Sequence, residues 1–199
     1  MKKLVVDYFM NIIVKDNKYA EIKLQEIRYG LEGLYLNISK LIIFLIINII
    51  IGNLGASLLF ILFFIPIKSF SYGFHAKTSL QCWLISAFCF VGLPFLTNYI
   101  EFNFLFKMIL IVCFFIIFTF FSPADTPRKP ILSSSIRLRL RVSSLFVVSI
   151  YSFIILNFPS LATVLILVLL LQSIMISPLI YSIFKVQYNN YLYYKKGCA

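Results

Sequence analysis

Apolar runs near residues 38–51, 54–67, 82–97, 104–121, 143–157 and 160–184 leave this chain too few polar residues to cover a water-facing surface. Of its 199 residues, 61% are hydrophobic and 13% charged. A soluble domain of this length would bury a core and still show a polar exterior. The runs therefore predict an all-α integral membrane protein, a polytopic helix bundle.

Topology follows from length and charge. The first two runs could join as one helix from Ile38 to Pro66. At about 1.5 Å per residue it would be roughly 42 Å long, against a hydrocarbon core of about 30 Å. Gly52-Asn53-Leu54-Gly55 offers a turn between them. Six spans also place the basic connections together. The N-terminal region, the 68–81 loop, the 122–142 loop and the tail share one side, and only Glu101 and Lys107 carry charge on the other. Basic loops face the cytoplasm, so six spans with both termini cytoplasmic are expected. The expected organisation is residues 1–38 at the membrane surface, 39–184 as the bundle and 185–199 as a cytoplasmic tail. The first two runs are short for full crossings, which leaves tilted or re-entrant segments open.

The formal net charge of +11 would suggest nucleic acid in a soluble protein. In a membrane protein it marks cytoplasmic loops, lipid contact and an acidic partner at the inner surface, so no nucleic-acid partner is expected. Four scattered cysteines without a Cys-x-x-Cys pair argue against a disulfide framework or a zinc site, and no metal or cofactor is expected. Asp7 interrupts the first apolar stretch and no small-residue cleavage site follows, so no signal peptide is expected. Cys198, second from the end, does not fit a prenylation box.

The first 38 residues are amphipathic. Lys3, Asp7, Asn11 and Lys15 form a polar stripe opposite Val5, Phe9, Ile12 and Ile13, which suits a helix lying in the headgroup plane. Ala20, Leu24, Ile27, Leu31, Leu34 and Ile38 step by four and three, a narrow seam for another helix. That seam fits the protein's own bundle, a substrate helix or a second copy in a homodimer.

Chemistry points to one loop. His75 is the only histidine, seven residues before Cys82. On one helix they would stand about 10.5 Å apart along the axis, too far for a hydrogen bond. Gly73 permits the chain to fold back. Thr78 or Ser79 can then cap a new helix, with Gln81 completing a capping box. Cys82 would follow at the helix start, where the partial positive charge favours a nucleophilic sulfur. A thiol beside an imidazole is the minimal equipment for acyl transfer. The same spacing also fits a packing thiol and a solvated imidazole. Cys89 and Cys113 read as core residues.

A second polar island is Ser122-Pro123-Ala124-Asp125-Thr126-Pro127-Arg128-Lys129-Pro130, whose prolines stop a span and stiffen the loop. Asp125 can orient His75 or cap a turn. Arg137, Arg139 and Arg141 alternate with leucines and serve as topology anchors or as a comb for acidic groups.

Gly73-x-His75-Ala76-Lys77 followed by Cys82, then Ser122-Pro123-Ala124-Asp125-Thr126 with Arg128-Lys129-Pro130, resembles the AgrB (accessory gene regulator B) family over nearly the whole chain. Members are membrane cysteine endopeptidases of Gram-positive quorum-sensing systems that cut the pro-peptide AgrD and help close its thiolactone or lactone ring. The resemblance implies a multi-pass protein of the cell membrane with its site facing the cytoplasm. Cys82 would be the nucleophile and His75 the base. Many members have an arginine upstream and a double glycine before the histidine, where this chain has Lys68 and Tyr72-Gly73. Substrate contacts are expected from Lys68, Gly73, Lys77, Asp125, Arg128, Lys129, Arg137, Arg139 and Arg141. The rival reading is a small transporter or exporter of a peptide or cationic solute. It predicts an ionisable residue in mid-membrane, and the runs hold essentially none.

Overall fold

The computed structural model describes residues 2–14, 21–76, 78–126 and 130–197. The chain divides into two compact units, residues 1–51 and 52–199. In the first, α1 (Lys2–Val14) packs on α2 (Glu21–Ile50). Lys2 pairs with Glu32 at 2.7 Å and Arg28 with Asp7 at 2.7 Å, so the two helices run antiparallel. Asp7 of the expected polar stripe thus faces α2, though such exposed pairs contribute at most about 1 kcal/mol each. The second amphipathic segment and the first apolar run are one 30-residue helix, because no proline or turn sequence separates them. Its seam residues Leu24, Ile27 and Leu31 are half-buried, whereas Leu34 and Ile38 are exposed.

The second unit is all helical among its named elements: α3 (Leu54–Ser71), α4 (Ser79–Ala87), a π-helical turn (Phe88–Gly92), α5 (Leu93–Leu96), α6 (Phe104–Phe121), α7 (Ser134–Asn157), α8 (Pro159–Ile176), α9 (Pro178–Ile183) and α10 (Asn190–Gly197). The expected turn is present: Gly52 takes φ 69° just before α3, a conformation that glycine tolerates. Among the described residues, five helices, α2, α3, α6, α7 and α8, are long and apolar enough to cross a membrane. The molecule is an all-α membrane helix bundle.

The run that is short for a crossing proves to be the third rather than the first two. Residues 80–96 form a 17-residue apolar stretch, about 25 Å long at an α-helical rise, with the π turn inside it. Ser57 of α3 donates to the Phe90 carbonyl in that turn at 3.1 Å, tying the irregular backbone to the bundle. The last run also divides, at Pro178, which opens α9. The segment 134–142, expected within a loop, is the first part of α7: Ser133 caps it and its leucines and arginines are helix formers.

The core is centred on α8, which packs against α3, α6 and α7. Its apolar window is 61% buried, against 17–33% for the windows of those three. A helix apolar all round belongs in the middle of a bundle. Gln172, wholly buried in α8, departs from that composition, as does its buried neighbour Ser173. The Gln172 side-chain amide donates to Ser71 Oγ at 2.6 Å and to the Tyr72 carbonyl at 2.7 Å, so the middle of the bundle grips the end of α3.

Candidate active site

The site is built where α3 ends. Tyr72 (φ 54°) and Gly73 (φ 111°) reverse the chain. The Gly73 amide donates to the Ala124 carbonyl at 2.9 Å, and the Ala124 amide donates to the Ser71 carbonyl at 3.0 Å. A parallel bridge thereby joins Tyr72 to Ala124. One residue on, the Phe74 amide donates to the Met175 carbonyl at 2.8 Å. The loop is clipped on one side to the 122–126 segment and on the other to the end of α8.

His75 follows this clip and is exposed. The chain then enters α4 through a complete capping box: Thr78 Oγ1 accepts the Gln81 amide at 3.3 Å, and Gln81 Oε1 accepts the Thr78 amide at 3.4 Å. The cap satisfies donors that a helix start leaves unpaired. The Cys82 amide closes the first turn onto the Thr78 carbonyl at 3.1 Å, which places the thiol one turn inside the helix and half-buried.

His75 and Cys82 line one cavity of about 120 Å³, together with Lys68, Phe74, Cys89 and Met175. Lys68 Nζ donates to Met175 Sδ at 3.5 Å, a weak acceptor for an ammonium group. Among the described residues every ion pair lies between or within α1 and α2, so no described carboxylate pairs with Lys68. Cys89 is buried in the π turn, whereas Cys113 is exposed on α6. An imidazole, a thiol and a cation around a small pocket with apolar walls can perform proton transfer, nucleophilic attack and stabilisation of negative charge.

The basic residues do not form one comb. On α7, Arg137 and Arg141 are four residues apart and share a face, while Arg139, two residues from each, lies on another. Arg137 and Arg141 line a second cavity of about 410 Å³ with Ser122, Tyr188 and Tyr191. The Arg137 guanidinium lies 3.6 Å from the Tyr191 ring centroid, and Arg141 Nε donates to the Ser122 carbonyl at 2.8 Å. Burial, and next the Asp125 carboxylate, push the Tyr188 hydroxyl up to about 12, so it stays protonated beside the arginines at neutral pH. Lys77, Arg128 and Lys129 lie outside the described residues.

Asp125 is 3% exposed, and its carboxylate is engaged by the C-terminal segment. Its Oδ1 accepts the Asn190 amide at 2.9 Å and its Oδ2 the Tyr191 amide at 2.8 Å, so it caps α10 from a distant part of the chain. Sequence reasoning missed this partner, since nothing in local spacing links residue 125 to residue 190. It also missed Gln172, for which a signal existed: an amide inside an apolar run needs a hydrogen-bonding partner.

Comparison with known proteins shows which family the chain is similar to. The family model for AgrB, accessory gene regulator B, matches residues 6–176. A putative AgrB-like protein of Lactiplantibacillus plantarum is 31% identical over 155 residues, covering 77% of this chain and 78% of the relative. One from Listeria innocua is 31% identical over 186 residues, covering 91% and 88%. Accessory gene regulator protein B of Staphylococcus aureus is 32% identical over 126 residues, covering 63% and 67%. No solved structure matches.

Proposed function

This chain belongs to the accessory gene regulator B (AgrB) family, and from that premise we propose that it is a membrane cysteine endopeptidase acting on an AgrD-like pro-peptide. The observation that carries the reading is the shared cavity of His75 and Cys82 at the capped start of α4.

In this reading His75 takes the proton of the Cys82 thiol, and the thiolate attacks the scissile carbonyl. Lys68 faces the same cavity and balances the charge that develops on oxygen. His75 returns the proton to the departing amine as the C–N bond breaks, which leaves an acyl-enzyme thioester and frees the C-terminal part of the peptide. A side-chain thiol or hydroxyl of the bound peptide then attacks the thioester. It displaces the Cys82 sulfur and closes the ring. Thioester exchange for a thiolactone is close to isoenergetic and requires no nucleotide, provided that water is excluded. The Phe74, Met175 and Cys89 walls serve that exclusion. An acidic peptide tail fits the cavity of Arg137 and Arg141, where both guanidinium groups are already oriented. This assignment places the active site and both termini on the cytoplasmic side, beside the lipid headgroups.

The test is co-expression with the cognate pro-peptide, followed by mass spectrometry. Cys82→Ala and His75→Ala should each abolish cleavage at normal protein levels, and an adduct of truncated peptide on Cys82 should be released by hydroxylamine. Cys113→Ala should process peptide normally. If Cys82→Ala yields cyclised peptide at the wild-type rate, the peptidase reading fails and a transporter takes its place.

A further inference from the structure

Residues beyond 176 lie outside the part of the chain matched by the family model, yet they reach the loop that carries His75 by two routes. The first runs through Asp125, whose carboxylate holds the Asn190 and Tyr191 amides and whose carbonyl accepts the Tyr181 hydroxyl at 3.0 Å. The adjacent Ala124 then receives the Gly73 amide. The second route is direct: the Phe74 ring lies 4.7 Å from that of Phe184 and 6.1 Å from that of Tyr181, centroid to centroid. Both routes end at the two residues immediately before His75.

We propose that Asp125 is a positioning residue, which fastens the 181–191 segment against the bundle so that Gly73 and Phe74 hold His75 at the cavity of Cys82. The inference rests on the peptidase reading above. A buried carboxylate that accepts two main-chain amides is held by strong, directional bonds. Asparagine in its place keeps one acceptor oxygen and turns an NH2 donor toward the other amide, so the segment would lose part of its attachment next to Ala124. The carboxylate acts through main chain and aromatic packing.

The experiment uses full-length Asp125→Asn and Tyr181→Phe proteins, purified in detergent and reconstituted, with the cognate pro-peptide as substrate. Two quantities are read: kcat and KM for cleavage, and the pH profile of Cys82 alkylation by iodoacetamide, followed by mass spectrometry. Asp125→Asn should lower kcat by roughly tenfold or more with KM within about twofold, because what is lost is general-base geometry. Its alkylation profile should move toward that of His75→Ala, whereas a protein that was merely less stable would keep the wild-type profile. Wild-type kcat and an unchanged profile in Asp125→Asn would overturn the proposal. Should that protein fail to accumulate, Tyr181→Phe decides on the same two readouts, with a smaller loss expected and wild-type behaviour counting against the idea. Failure of the peptidase reading looks different, since His75→Ala itself would then cleave normally.

Discussion

Gly73 lies so close to Met175 that a methyl group in place of its hydrogen would stand 2.8 Å from the Met175 carbonyl oxygen. That oxygen already accepts the Phe74 amide, so it cannot retreat without releasing the loop. The backbone at Gly73 also holds φ 111°, where a side chain is strained.

Gly73→Ala should therefore destabilise the loop by strain on the order of 1–3 kcal/mol, before any clash is counted. We expect processing to be lost while the bundle persists, since α8 keeps its packing against α3, α6 and α7. Thermal unfolding in detergent, read beside peptide cleavage, checks both halves of this expectation. Full activity with alanine at this position would show that the loop relaxes freely.

Gln172 gives a second, milder perturbation of the same loop. Gln172→Ala removes the donor to Ser71 and Tyr72, and polar contacts between membrane helices contribute about 0.6 kcal/mol on average, up to about 1.7. The expected outcome is a modest fall in stability with a larger fractional fall in cleavage rate. Equal activity at unchanged stability would remove Gln172 from the positioning of the loop.

Helical periodicity separates the arginines. Arg137→Glu with Arg141→Glu should weaken processing and leave membrane insertion intact, whereas Arg139→Glu should behave as wild type. A pro-peptide with a reversed tail charge should recover part of the loss. Equal effects from all three positions would assign them to topology rather than to substrate.

Orientation is tested by labelling. Cysteines introduced at Ser69 and Ser133, in a background that retains only Cys82, should resist a membrane-impermeant maleimide in intact cells. Ready labelling from outside would place the loop, and with it the site, on the wrong side for a cytosolic peptide.

What the sequence determined by itself was whatever local physics controls. The apolar runs required a membrane bundle because nothing else could satisfy so much hydrocarbon. The Thr78-x-x-Gln81 spacing announced the start of α4 because capping depends on residues three apart. His75 and Cys82 stood out as the only imidazole and a thiol with a reason to sit at a helix end. The tertiary structure alone decided which distant groups meet. Asp125, legible as a cap, caps a helix 65 residues further on, because the fold returns its C-terminal segment to that loop. The row of arginines divides because residues 134–142 are helical, and a period of 3.6 turns Arg139 away from its neighbours. Gln172 reaches Ser71 only because α8 lies at the centre of the bundle. Long-range pairings of this kind leave no periodic trace in the chain, since the residues between the partners answer to other contacts.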